Sequence, residues 1–434
     1  MTDLAVIGAG AMGLAAAHHA LRAGHDVTVY EADAVAGGMA AHFDFDGVSI
    51  ERFYHFVCKA DAPLFALMDE LGIGDRMVWK PTSMGYFIDG KHYRWGDPVS
   101  LLRFPLLSLA EKVRYGLHMF RQTKRRSFDD LEHRDTHQWI ASAMGERTYD
   151  LLWRRLMELK FYEYADDISA AWIATRIKRI GTSRRSMLQE ELGHIEGGSQ
   201  TLVDALVASI ERQGGRLRLG TPVEEIVADE GGVRAVRAGG TQTPHDAAIC
   251  TVPTPYLGDM VPALPAEWRA RYDAIVNIGV VCVVLKLRHP VTGHFWLNVN
   301  DPDMQIPGLV EFSNLRDLPE PVVYVPYYMP TSNPKWGQSD AAFVAESFGY
   351  LRRLSPQLGE GDLIASKVGR LRHAQPVCEP GFAAKIPPAQ TPIPGLQIAD
   401  TSFYYPEDRG ISESARFAKE MVEALDKARA EALG

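Results

Sequence analysis

Leu4-Ala5-Val6-Ile7-Gly8-Ala9-Gly10-Ala11-Met12-Gly13 is the stretch that decides the fold. Leu4 to Ile7 is a short apolar run that reads as a buried parallel strand, and it stops at a G-x-G-x-x-G turn. Leu14 to Ala23 is built of strong helix formers and ends at Gly24, a left-handed cap. A second strand, Val27-Thr28-Val29-Tyr30, then runs into Glu31. Each glycine serves a different purpose. Gly8 makes the tight turn, Gly10 lets the backbone approach a pyrophosphate, and Gly13 permits close packing of helix on strand. The helix N-terminus offers amide donors and the positive end of its dipole to phosphates. A carboxylate at Glu31 accepts hydrogen bonds from ribose hydroxyls and repels a 2′-phosphate, which disfavours NADP. Strand, turn, helix, strand and acid in this order predict a dinucleotide-binding unit, without separating FAD from NAD.

The chain around this unit has 434 residues and is 46% hydrophobic, enough for two cores, since one core rarely grows past roughly 250 to 300 residues. A net charge of -9 gives no general attraction to nucleic acid. Cys58, Cys250, Cys282 and Cys378 stand far apart without a C-x-x-C pair, so neither a disulfide framework nor a zinc site is expected, and a cytoplasmic location suits them. No secretory leader and no membrane span are expected from the hydropathy pattern.

Beyond Glu31, Ala32-Asp33-Ala34-Val35-Ala36-Gly37-Gly38-Met39 resembles the second flavin motif of the amine oxidase, protoporphyrinogen oxidase and phytoene desaturase superfamily. The resemblance implies that Gly37 and Gly38 lie along a pyrophosphate; the arginine that usually follows the pair is Met39 here, leaving one phosphate contact unassigned. Glu51 to Trp79 looks most like carotenoid and squalene-type desaturases, with Glu51 as the acid before the flavin-ring segment and Arg52-Phe53 where other branches have glycines. Ile195-Glu196-Gly197-Gly198 with its following helix, and Pro222-Val223-Glu224, resemble the superfamily's return into the nucleotide domain, where the position of Val223 meets the adenine. Pro394 to Asp400 reads as a strand ending in an acid, and the resemblance places Asp400 by the ribityl and phosphate region. Gly410, Ile411 and Ser412 open a last helix whose N-terminus points amides at the flavin's pyrimidine side. NAD-only dehydrogenases lack this closing unit, so the expected cofactor is FAD, held non-covalently; Cys378 lacks the flanking motif of covalent attachment.

The expected fold is therefore α/β: a discontinuous Rossmann-like FAD-binding domain of the glutathione reductase type (residues 1–55, 195–255 and 371–434) with a second, α+β substrate domain (56–194 and 256–370). Leu101 to Arg126 and His137 to Leu159 pattern as helix, and Gly279–Leu285 and Val322–Pro326 as strands. The apolar and basic stretch from Leu101 through Phe120 to Lys124-Arg125-Arg126 reads as a core-facing helix with a solvated basic end, interrupted by Pro105; the other reading is contact with an anionic membrane surface or an entrance for an apolar substrate. His133 and His137 have metal-compatible spacing, but Asp135-Thr136 reads as a helix cap, and no metal is expected.

Flavin would supply the electron sink, so few catalytic groups are demanded of the protein. His55 and Tyr54 are the first site candidates because the matching segment borders the flavin ring in the resembled family, and Tyr404 and Tyr405 could wall the same cavity. Lys286, at the end of an apolar strand, is similar in place to a lysine that some amine oxidases hold near the flavin. The leading expectation is an FAD-dependent oxidoreductase, a dehydrogenase, desaturase or oxidase passing hydride from an apolar or amine substrate to flavin, the substrate being a small molecule of apolar or lipid-linked kind; the alternatives are a flavin-dependent mutase without net redox chemistry and a flavin-free binding protein on a related fold.

Overall fold

The computed structural model describes residues 1–433. Five parallel strands form one sheet in the order Arg216–Arg218, Asp26–Tyr30, Asp3–Ile7, Ala247–Cys250 and Leu396–Ile398. Asp3–Ile7 takes the centre because its Leu4, Ala5 and Val6 are wholly apolar and fully buried, as a strand covered on both faces must be. Helix Ala11–Arg22 turns a nearly continuous alanine surface inward, and these short side chains let helices Ile411–Leu433 and Ser199–Arg212 pack close against it. A hydrogen bond between His25 Nε2 and Asp426 Oδ1 at 2.7 Å ties the two ends of the chain together behind the sheet.

A seven-stranded, mostly antiparallel sheet makes the second layer, in the order Leu363–Pro376, Asn277–Leu287, Val322–Met329, Gly308–Glu311, Trp296–Asn300, Met84–Ile88 and Lys91–Trp95. Strand alternation splits Asn277–Leu287 between two environments. Val281, Val283 and Leu285 pack with Phe343, Leu351 and Leu354 of helix Asp340–Leu354, whereas Val280, Cys282 and Val284 border a cavity shared with the parallel sheet. A helical layer including Thr136–Met144, Arg155–Phe161 and Ala170–Thr182 closes the remaining side around Trp139, Phe161 and Trp172.

Three expectations need correction. The boundary at residue 371 falls inside Leu363–Pro376, whose ladder with Asn277–Leu287 continues to Pro376, so residues 371–376 belong to the larger sheet. The helix expected over Leu101–Arg126 is two helices, Pro98–Arg103 and Leu109–Lys124, broken around Pro105 and restarted by a capping box between Ser108 and Glu111. Leu109–Lys124 is also not core-facing through its apolar residues: Leu109, Val113, Leu117 and Phe120 are exposed at 70%, 60%, 47% and 58%, while the polar His118 and Gln122 are buried. As expected from the cap, Asp135 Oδ1 accepts the Gln138 N–H at 2.7 Å, and His133 lies outside the helix.

Candidate active site

Between the carboxyl ends of the parallel strands and the larger sheet lies a cavity of about 1140 Å³. Gly8 and Gly10, Glu31, Gly37 and Gly38, Val223, Asp400, and Gly410, Ile411 and Ser412 all line it. Gly13 does not, for the reason its position in the motif suggests: a Cβ there would stand 1.9 Å from the Gly8 carbonyl oxygen, so this glycine serves packing. A Cβ at Gly10, by contrast, meets nothing within 4 Å and would project into open space. The two glycine motifs meet directly. The Gly37 N–H donates to the Ala9 carbonyl at 2.7 Å, and a Cβ on Gly38, at φ +56, would lie 3.1 Å from Gly10 Cα.

Glu31 accepts the Ala9 N–H at 2.6 Å and the Asp33 N–H at 2.8 Å, which fixes its carboxylate at the rim of this glycine cradle. The Thr221 N–H donates to the Glu31 carbonyl at 2.7 Å, bringing Pro222 and Val223 beside it. Asp400 is buried at 5% exposure; its carboxylate accepts the Thr254 N–H at 2.8 Å and the Ser402 N–H at 2.9 Å, joining two strand ends of the parallel sheet. At the start of helix Ile411–Leu433, Ser412 Oγ is buried and has no hydrogen-bond partner. An open glycine cradle, a carboxylate at the second strand's end and an orphaned hydroxyl at a helix N-terminus fit an elongated dinucleotide with a polar ring.

Met39 lines the cavity, and so does Arg52, which pairs with Asp33 and holds that carboxyl below its usual range. Neighbouring Glu51 is 2% exposed. Burial pushes its carboxyl up, but His42 and Arg316 outweigh burial and hold it below the ordinary range. The anion accepts the Ser199 N–H at 3.2 Å and so anchors helix Ser199–Arg212.

Tyr54, His55 and Tyr404 line the cavity. His55 Nδ1 is buried without a partner, and burial holds the imidazole down at about 4, so the ring is neutral at pH 7. Burial and the adjacent Tyr328 push the Tyr54 phenol well up. Tyr404 shares a 2.8 Å hydrogen bond with Ser414. Tyr405 is not part of the cavity wall: its hydroxyl donates to Glu132 at 2.6 Å and meets Ser169 Oγ at 2.7 Å, holding the helical layer together. Lys286 is also elsewhere, reaching the Asp46 carbonyl at 3.1 Å and Glu320 at 3.3 Å. Cys378 is buried and does not itself line the cavity, and among the described residues Cys282 is the one cysteine on its wall, with its thiol pushed up to about 12 by burial.

Charged groups on the wall that were not anticipated include Lys160, Arg176, Arg179, Asp408 and Arg409. Asp408-Arg409 directly precedes Gly410, which was the one available signal; Lys160 and Arg176 sit in helices without any motif.

A parallel nucleotide sheet with this cradle, closed by the chain's last helix, defines a flavoprotein of the two-lobed FAD-binding type. The chain belongs to the family described as flavin containing amine oxidoreductase, whose profile matches residues 13–400. It is an FAD-dependent oxidoreductase. It is 25% identical over 393 residues to a 15-cis-phytoene desaturase of Synechococcus elongatus, covering 83% of this chain and 81% of that one. It spans about half the length of the plant 15-cis-phytoene desaturases that it also matches. Among solved structures, an oxidoreductase from Methanosarcina mazei superposes with a TM-score of 0.75 at 17% identity, covering 97% of this chain and 99% of that one. Cyclohexylamine oxidase from Brevibacterium oxydans superposes with a TM-score of 0.73 at 16% identity over 98% and 99% of the two chains. No helix among the described residues is long and apolar enough to cross a membrane.

Bound FAD supplies a two-electron acceptor. The glycine cradle and Glu31 would hold its ribose and phosphates, Tyr54, Phe56, Val280 and Tyr328 would shield the ring from water, and His55 would present a neutral imidazole to the cavity.

Proposed function

We propose that this oxidoreductase dehydrogenates an apolar, isoprenoid-like substrate rather than an amine, and takes it from an anionic membrane surface. The observation that carries this reading is the charge of the cavity wall around Asp408, where the guanidinium groups of Arg176, Arg179 and Arg409 outnumber the carboxylates Asp408 and Asp61. A protonated amine would meet like charges in a low-dielectric cleft, where repulsion is weakly screened. Tyr54, Phe56, Val280, Val284 and Tyr328 give the wall an apolar and aromatic stretch, and Lys286 is tied up outside it.

The membrane side of the reading rests on helix Leu109–Lys124. Its exposed Leu109, Val113, Leu117 and Phe120 continue onto Leu102 and Val99 of the preceding helix, and exposed Arg103, Arg114, Arg121 and Lys124 flank them. Such a face suits insertion among anionic headgroups. The helix packs on Ala170–Thr182, which carries Arg176 and Arg179 into the cavity wall, so the exposed face and the cavity lie on two adjoining helices.

The test is anaerobic incubation of FAD-loaded protein with 15-cis-phytoene and geranylgeranyl phosphate in vesicles, and separately with putrescine and cyclohexylamine. Bleaching of the flavin band by an isoprenoid with both amines silent is expected. Bleaching by an amine, or silence of both isoprenoids, overturns the reading.

A further inference from the structure

Lys160 carries its ammonium at 8% exposure, on helix Arg155–Phe161, into the cavity wall. Its Nζ lies 5.0 Å from the Trp172 ring centre, 5.1 Å from Tyr328 and 5.5 Å from Phe161. Among the described residues it has neither a hydrogen-bond partner nor a carboxylate within ion-pair distance. Arg409 is in the same position with respect to acids: it donates to the Ala374 carbonyl and, at 3.2 Å, to the Tyr328 hydroxyl. Arg176 is committed to Asp408 through Oδ2, and Asp408 Oδ1 is buried without a partner. Around Asp408 the wall thus brings together the guanidinium groups of Arg176, Arg179 and Arg409 and the amine of Lys160, against two carboxylates, Asp408 and Asp61, in a cavity with aromatic walls. Unbalanced charge in such a place is costly, and an anionic ligand group offsets the cost.

We propose that Lys160 and Arg409, with Trp172 and Tyr328 beside them, form a subsite for the phosphate or carboxylate of an otherwise apolar substrate. This rests on the reading that the cavity takes an apolar substrate beside FAD. The cofactor's own phosphates are not the anion in question, because their cradle is Gly8 to Gly13 and Gly37-Gly38 at the parallel sheet, whereas Phe161, Trp172 and Tyr328 pack in the helical layer. A phosphate or carboxylate head would receive charge-assisted hydrogen bonds from both cations, and the tail would run along the apolar wall.

A linked proton is expected. Burial, then Arg176, with Arg409 adding to them, hold the Lys160 ammonium well below the usual lysine range, against the opposing pull of Asp408 and Cys378. Asp408 is pushed up by burial, but Arg176 and the other cations hold it low, so it stays ionised. An added anion favours the charged form of Lys160, so anion binding is expected to be linked to proton uptake at Nζ.

The experiment uses FAD-loaded protein and three probes of equal chain length: decyl phosphate, decanoate and decanol. Binding is followed by calorimetry in buffers of differing ionisation enthalpy and by perturbation of the flavin spectrum. At least one anion is expected to bind about tenfold or more tightly than decanol with proton uptake, and the tighter anion names the head group. Lys160→Met and Arg409→Gln are expected to lose that preference, and Lys160→Met the proton uptake. Equal binding of all three probes by the wild-type protein, or an undiminished anion preference in both variants, overturns the proposal. The wild-type comparison stands even where a variant fails to fold. Because the probes are bound and not oxidised, the outcome is separate from the anaerobic bleaching result.

Discussion

The hydroxyl of Tyr404 stands 3.6 Å from the sulfur of Met12, joining side chains 392 positions apart in the sequence. Met12 belongs to the glycine turn and Tyr404 to the segment between Asp400 and the last helix, so this contact marks where the two ends of the polypeptide close on one cavity. A dinucleotide in this cavity would draw on both ends, with phosphate donors at the start and the helix N-terminus beside the ring at the finish.

Gly10 and Gly13 should separate cofactor binding from folding. Gly10→Val places a side chain where nothing stands within 4 Å, so the chain is expected to fold normally and to lose FAD affinity by about a hundredfold, about 2.7 kcal/mol. Gly13→Ala puts a methyl against the Gly8 carbonyl and is expected to cost about 1–3 kcal/mol of stability. Denaturant midpoints and FAD titrations on both variants check this; a Gly10→Val protein that binds FAD normally contradicts it.

Arg52 lines the same cavity as Met39, where the sequence resemblance left a phosphate contact unassigned. Arg52→Ala is expected to weaken FAD by about tenfold, about 1.4 kcal/mol, since one charge-assisted contact is lost. Its effect should shrink at high salt, as the guanidinium is partly exposed and also serves Asp33. Titration of apoprotein with FAD at two ionic strengths measures it.

The exposed helix face makes a vesicle prediction. Replacing Val113, Leu117 and Phe120 with Asp is expected to abolish sedimentation with phosphatidylglycerol vesicles while leaving FAD content and thermal stability close to wild type, since all three side chains are exposed. Wild-type protein should prefer phosphatidylglycerol to phosphatidylcholine. Unchanged sedimentation of the triple variant removes this face from the membrane reading.

Acid should destabilise the protein from a mildly acidic pH onward. Burial holds His19, His55 and His118 at about 4 in the fold against an ordinary value of 6.5, so the unfolded chain binds more protons between these values. Their contribution is complete above about 6.5 and is lost as the pH falls toward 4. Glu311, pushed up to about 7 by burial, acts in the opposite sense: its contribution is present below 4.5 and lost as the pH rises through 7. His55→Gln is expected to flatten the acid limb by up to one proton and to leave the neutral limb unchanged. Denaturant midpoints from pH 4 to 8 measure both limbs.

Local order along the chain made the nucleotide unit legible, because Gly8, Gly10, Glu31 and Asp400 act through backbone turns and strand ends that neighbouring residues dictate. Tyr404 and Tyr405 were indistinguishable in sequence, yet adjacent residues leave a turn in different directions, and only one faces the cavity. Helical periodicity in Leu109–Lys124 announced two faces without saying which one meets protein; burial of His118 and Gln122 decided it. Lys160 and Arg176 carry no local mark at all, since their meaning comes from Asp408 and Arg409 arriving from the far end of the chain. The strand Leu363–Pro376 overran the expected boundary because its length is set by the partner Asn277–Leu287, which no reading of one strand alone contains.

The stoichiometry of flavin on the purified chain, measured after incubation with FAD and removal of excess, tests the central claim most directly. One FAD per chain in the wild-type protein, and almost none in a folded Gly10→Val protein, is the predicted result. A wild-type chain that stays colourless while folded, or that holds FAD equally with Gly10 replaced, would contradict it.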